Sequence, residues 1–127
     1  MNADHDRLDG ITRQIIGCAY TVGNALGCGF LEKVYENALF HELSKQGLQV
    51  EQQRRIEVRY DGIVVGEFAA DLFVEESVIV ELKATKDFDE IHMAQCLNYL
   101  NASNLSICLL INFGTPRVKV KRVVNKF

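Results

Sequence analysis

Ile11, Ile15, Ala19, Val22 and Leu26 recur at steps of three and four residues, which lines them along one side of a helix and predicts a first helix over residues 11–26. Gly27-Cys28-Gly29 interrupts the stripe. The same period resumes with Leu31, Val34, Tyr35, Ala38, Leu39 and Leu43, and Gly47 marks the expected end of a second helix. From Leu48 the period falls toward two. Ile56, Val58 and Tyr60 alternate with charged residues, Asp61-Gly62 is a strong two-residue hairpin signal, and Ile63 to Val74 supplies the returning strand. Glu75-Glu76-Ser77 reads as a polar turn. Val78 to Ala84 is a third strand, more apolar than its predecessors and therefore expected nearer the middle of the sheet. Helical spacing returns between Asp87 and Ala102 through Ile91, Ala94, Leu97 and Leu100, with Asp87 or Asp89 as the N-cap. Leu105 to Phe113 is a β-rich run, Gly114-Thr115-Pro116 breaks it, and Val118, Val120 and Val123 build a last strand that carries Lys119, Lys121 and Arg122. The predicted order is α-α-β-β-β-α-β-β, with three antiparallel strands in a meander and then a crossover helix. The class is α/β, with a mixed central sheet flanked by helices.

Neither repeats nor linkers divide the 127 residues, so residues 1–127 are expected to form one domain around one core. A hydrophobic share of 48% against 24% charged places the chain far from the composition of disorder. No apolar run reaches the ~20 residues that cross a bilayer. The start MNADHDRLDG is polar and acidic where a signal peptide is basic and then apolar, so a cytoplasmic location and no membrane partner are expected. Cys18, Cys28, Cys96 and Cys108 form no C-x-x-C pair, which suggests free, mostly buried thiols and not a zinc knuckle. The net charge of −3 gives no general pull toward nucleic acid, so any such contact must be local.

Chemistry concentrates in Ala70-Asp71-Leu72 on one strand and Val80-Glu81-Leu82-Lys83 on the next. Alternation along a strand puts Glu81 and Lys83 on one face and Val78, Val80, Leu82 and Ala84 on the other, and a hairpin partner can bring Asp71 beside them. Carboxylates near a core are costly unless a cation or a hydrogen-bond network compensates. Two of them, with a carbonyl and waters, make the incomplete oxygen shell that Mg²⁺ or Mn²⁺ favours. Lys83 could then orient a water or neutralise a phosphoryl group. Spacing alone leaves a competing reading open, in which Glu81 and Lys83 pair on a solvated sheet face.

Gly29-Phe30-Leu31-Glu32-Lys33-Val34-Tyr35 reads G-x-x-E-x-x-Y, and with Ala70-Asp71, Glu81-Leu82-Lys83 and the Gln95 and Tyr99 of a Q-x-x-x-Y element the chain resembles the GxxExxY family of PD-(D/E)XK nucleases. The likeness covers nearly the whole chain. It implies a restriction-endonuclease-like core and a metal held by Asp71 and Glu81. It also implies Lys83 as the catalytic lysine, and Glu32 as a further carboxylate from the second helix that joins the metal ligands. Gln95 and Tyr99 share a face of the third helix and could grip a phosphate or place a catalytic group, with His92 ranked behind them. Three positions depart from the pattern. Many relatives carry His in place of Gly23 and Pro in place of Cys28, and Ala70 stands for the proline of P-D, a residue that shapes the turn without binding metal. RecB-like members with an iron–sulfur cluster gather most of its cysteines near one end of the chain, and this sequence does not.

The function implied is a Mg²⁺- or Mn²⁺-dependent nuclease that hydrolyses phosphodiester bonds in DNA with water as nucleophile. Lys33, Lys86 and the Lys119, Lys121, Arg122 strand are the candidate grip on the substrate, against the plainer role of a solubilising edge strand. The alternative is a catalytically weak or inactive module that keeps the nuclease fold to bind nucleic acid or protein. A third reading confines the carboxylates to a buried network around Lys83. A homodimer that assembles one DNA groove stays open, as do DNA against RNA and endo- against exonuclease action.

Overall fold

The computed structural model describes residues 3–125. Eight elements follow in chain order: α1 (Ala3–Leu26), α2 (Glu32–Lys45), β1 (Val50–Tyr60), β2 (Ile63–Val74), β3 (Val78–Lys83), α3 (Glu90–Ser103), β4 (Ile107–Asn112) and β5 (Lys119–Val124). The order, the meander and the mixed sheet are as the periodicity predicts. Two helix starts differ. α1 begins at Ala3 and not at Ile11, because Leu8 extends the buried stripe by a turn and Asp4 and Asp6 suit the positive end of the helix dipole. α3 begins at Glu90, and of the two candidate caps Asp89 is used: its Oδ1 accepts from the Ile91 N–H at 2.7 Å. His92 completes that cap, with its Nδ1 accepting from the Asp89 N–H at 3.4 Å.

One five-stranded sheet runs β1-β2-β3-β4-β5, antiparallel throughout except for the parallel pair β3–β4, which α3 connects. β3 occupies the centre, as its apolar composition predicts. Ile15, Val22, Tyr35, Leu39 and Leu43 of α1 and α2 cover one face through Leu72, Val80, Leu82 and Leu109. Cys96 and Leu100 of α3 cover the other through Ala70, Ile79, Cys108 and Leu110. Each buried aliphatic side chain contributes about 1.5–3 kcal/mol. A one-residue slip of β3 would swap its two faces and put Glu81 among the aliphatics under α2, so packing on both sides pins the register. Among the described residues no helix is long and apolar enough to cross a membrane.

Two local devices shape the region around β3. The Tyr35 hydroxyl donates to Gly27 O at 2.6 Å and accepts from the Phe30 N–H at 3.2 Å, while its ring stacks on Phe113 at 4.6 Å, which pins the α1–α2 connection to the core. At the end of β4 the fully buried Asn112 accepts from the Thr85 N–H at 3.1 Å and the Gly114 N–H at 2.9 Å, and donates to Thr85 O at 3.0 Å. Gly114 lies so close to the Thr85 backbone that a Cβ would collide with it. Gly23 is also closed in, since a Cβ there would meet the Val118 side chain.

Candidate active site

β2 and β3 are paired only over Leu72↔Val80, Phe73↔Ile79 and Val74↔Val78. Beyond that point β2 stays with β1 alone and the two strands fork. Asp71 is the first residue past the fork, and its Oδ2 accepts from the Leu82 N–H at 2.8 Å, replacing the lost ladder bond with a side-chain bond. Glu81 stands opposite on β3. The sequence places both residues at one junction, where the strands part and their carboxyl groups adjoin.

Glu81 is 6% exposed, and its Oε1 is buried without a hydrogen-bond partner. Burial first, and then the neighbouring Asp71 carboxylate, push its carboxyl up to about 9. A carboxyl group so placed is protonated when the fold is metal-free and ionised in the unfolded chain above its ordinary value of 4.5. In divalent-free buffer the unfolded state therefore binds fewer protons between pH 4.5 and about 9, and this group's contribution to stability falls as pH rises through that window. The expected slope is up to about 1 kcal/mol per pH unit. Urea unfolding at pH 5.5, 7 and 8.5 for wild type and Glu81→Gln checks it: the variant should lose stability less steeply toward high pH, and parallel curves would refute the effect.

The donor set fits a hard cation. Two carboxylates adjoin, and one oxygen is buried with no other use, an arrangement suited to a Mg²⁺ or Mn²⁺ ion that keeps most of its waters. An all-protein cage does not fit, since among the described residues no group of three His, Cys, Asp or Glu side chains gathers closely enough to hold a metal. Lys83 follows on the Glu81 face, half-buried, and its ammonium has no side-chain partner among the described residues.

Of the helix residues named from sequence, Tyr99 lies nearest this chemistry. Its ring stacks on Phe68 of β2 at 3.8 Å, and burial, followed by the charge of Glu81, pushes its hydroxyl up to about 12. Gln95 is half-buried one turn earlier, with no side-chain hydrogen bond. His92 serves the α3 cap. Beside Tyr99 a groove of about 510 Å³ runs between the β1–β2 ribbon and α3, lined by Val58, Arg59, Phe68, Asn98 and Asn101. Behind Glu81, Cys96 and Cys108 are buried free thiols, and the hydrogen bond between them holds the Cys96 thiol below its ordinary pKa and pushes that of Cys108 up.

The α2 carboxylates divide unexpectedly. Glu32, the acid of G-x-x-E-x-x-Y, is exposed at the first position of α2. Glu36, one turn on, is 4% exposed and accepts from Lys33 Nζ at 3.0 Å, Gln52 Nε2 at 2.8 Å and Gln53 Nε2 at 2.8 Å. Gln53 Nε2 also reaches Asp71 Oδ1 at 3.3 Å, which connects Glu36 to the fork. Sequence reasoning passed over Glu36 and Gln53. Glu36 had a signal, for it lies within the arc of Tyr35, Leu39 and Leu43, where an acid is out of place unless it has partners.

The candidate grip is largely spoken for. Lys33 pairs with Glu36, Lys119 with Asp87 at 3.7 Å and Arg122 with Asp9 at 2.8 Å. Arg54, Arg55 and Arg59 of β1 pair with Glu51, Glu67 and Glu57. All but Lys33 are exposed pairs worth little, so a phosphate could exchange with the acid.

A family model described as the PD-(D/E)XK nuclease superfamily matches residues 9–123. Comparison with curated proteins and with solved structures returns no match.

Proposed function

The chain belongs to the PD-(D/E)XK nuclease superfamily, and from that membership we propose that it hydrolyses phosphodiester bonds in DNA with a divalent cation, Mg²⁺ or Mn²⁺, held by Asp71 and Glu81. The observation that carries the reading is the buried, unpartnered oxygen of Glu81 beside Asp71 at the fork of β2 and β3. When bound, the cation supplies Lewis acidity toward a phosphoryl oxygen and acidifies an adjacent water. The chain's own groups do the placing. The Leu82 N–H fixes Asp71, the sheet fixes Glu81, and Lys83 puts a compact positive charge on the same face, where it holds the attacking water or the phosphoryl oxygen. Water is the nucleophile, and the protein forms no covalent bond with substrate. The carboxylate that α2 contributes is Glu36, because its partners lead to Asp71; Glu32 serves the exposed start of the helix, where an acid suits the dipole. Tyr99 borders the site from α3 and leads into the groove beside Phe68, and Gln95, one turn before it on α3, is the second polar group this reading assigns to the substrate.

The second reading, a weak or inactive nuclease-fold module, draws on the pairing of most basic side chains with acids, which leaves little standing attraction for nucleic acid. One experiment separates the two. Labelled single- and double-stranded DNA, with RNA alongside, is incubated with purified protein in Mg²⁺, Mn²⁺ or EDTA, and the protein's melting temperature is recorded in the same buffers. Cleavage of DNA in either metal, absent in EDTA and in Asp71→Asn, is the expected result. A folded protein that Mn²⁺ stabilises but that cuts nothing moves the assignment to the binding module. One that Mn²⁺ does not stabilise ends the metal-site reading altogether.

A further inference from the structure

Consecutive side chains of a regular strand point to opposite faces. Gln52 and Gln53 break that rule, because both donate from Nε2 to the one buried carboxylate of Glu36: Gln52 to Oε2 and Gln53 to Oε1, each at 2.8 Å. The break lies in the backbone of Gln53 itself. Gln52 pairs with Leu72 and Arg54 with Ala70, so the register against β2 runs on unshifted, yet Gln53 between them sits at φ 54°, a left-handed conformation that non-glycine residues rarely adopt. No turn or register shift at this point needs such a backbone, since β1 continues to Tyr60 and its one shift against β2 lies further on, between Val58 and Arg59. What the left-handed residue accomplishes is to swing the Gln53 amide into the layer between α2 and β2, where it meets Glu36 Oε1 at 2.8 Å and Asp71 Oδ1 at 3.3 Å.

A primary amide nitrogen carries two hydrogens, and each is matched here to one carboxylate. The amide oxygen could not take that place, facing two acceptors. Asp71 is thus held from two sides, by the Leu82 N–H on Oδ2 and by Gln53 on Oδ1. We infer that Gln53 is a positioning residue of this site, a clamp that ties Asp71 to the buried Glu36 and so sets the Asp71 carboxylate beside Glu81 for the cation, and that the left-handed backbone is retained for this purpose. The inference rests on the metal-site reading of Asp71 and Glu81.

Gln53→Gly tests it, since glycine adopts the left-handed backbone freely and removes the side chain without straining the main chain. The variant is expected to fold, with a melting temperature within about 5 °C of wild type. Its affinity for Mn²⁺, measured by calorimetric titration of the full chain without substrate, should fall by about 10–100-fold. Under saturating Mn²⁺, kcat should fall more than KM. Gln53→Asn, which tolerates left-handed φ but is one methylene too short to reach both carboxylates, should behave alike. Unchanged Mn²⁺ affinity in a folded variant overturns the inference, and so does loss of the fold in both variants, which would make Gln53 a residue of the scaffold. Wild-type protein that binds no Mn²⁺ overturns the metal site itself, a distinct failure.

Discussion

Lys83→Ala is expected to slow metal-dependent phosphodiester cleavage by about 10²–10³-fold while leaving Mn²⁺ affinity near that of wild type. The two effects separate because Lys83 is a charge on the site face and not a ligand of the cation. Its position on β3 is secured without its ammonium: the Lys83 carbonyl accepts from the Phe113 N–H at 2.9 Å, and the residue pairs with Asn112 across the parallel ladder. Truncation therefore removes one positive charge and three donors from the place where the proposed reaction develops negative charge, with little loss of packing around a half-buried side chain. Single-turnover cleavage of a labelled duplex, with protein in excess and Mg²⁺ saturating, reads the chemical step directly. A variant that keeps the wild-type rate would remove Lys83 from the chemistry. A variant that fails to bind Mn²⁺ would show instead that Lys83 supports the carboxylates.

Asn112→Leu is expected to cost about 3–5 kcal/mol of unfolding free energy, a large share of the ~5–15 kcal/mol that holds a domain of this size together. Leucine forks at Cγ as asparagine does and is the larger of the two, so the loss comes from polar groups and crowding and not from a cavity. Three backbone groups lose their partner: the Thr85 N–H, the Thr85 carbonyl and the Gly114 N–H. Water is poorly placed to replace it, because Asn112 is fully buried and Gly114 presses on the Thr85 backbone. The connection from β3 to α3 leaves the sheet at this point, one residue past Lys83 and Ala84. Weakening it should loosen the lysine as well as the fold. Urea unfolding at pH 7 measures the first effect, and hydrogen exchange at Thr85 and Gly114 locates it. A loss below about 1 kcal/mol would mean that the three bonds contribute no more than one ordinary hydrogen bond.

Much of this architecture was legible in the amino-acid pattern. The β2 bounds, the Asp61-Gly62 turn and the central place of β3 follow from local chemistry: aspartate and glycine at φ 55° and 78° make the tight turn, and a strand buried on both faces must be apolar on both. Glu81 and Lys83 on one face follow from strand alternation alone. The start of α1 was less legible, because its first two turns are polar and only Leu8 reports that they pack.

The candidate site was half legible for a related reason. Asp71, Glu81 and Lys83 lie on adjacent strands joined by a three-residue turn, so sequence proximity carries them together. Glu36, Gln53 and Asp71 come from α2, β1 and β2, and their meeting depends on how α2 crosses the sheet and on a left-handed backbone at Gln53 that no glycine announces. The same holds for the charges. Arg122 and Asp9 are 113 positions apart, and nothing local foretells that the basic last strand is answered by an acid on α1.

The sequence by itself determined the order of the elements, the faces they bury and the strand positions of the carboxylates and the lysine, since periods of 3.6 and 2 are written by neighbours within one element. The tertiary structure alone decided that β2 and β3 part at Asp71, that Glu36 and not Glu32 turns inward, that His92 caps a helix, and that a strained glutamine joins two layers. Each of these is settled by contacts between residues distant in the chain, whose energies arise only when the layers close on one another.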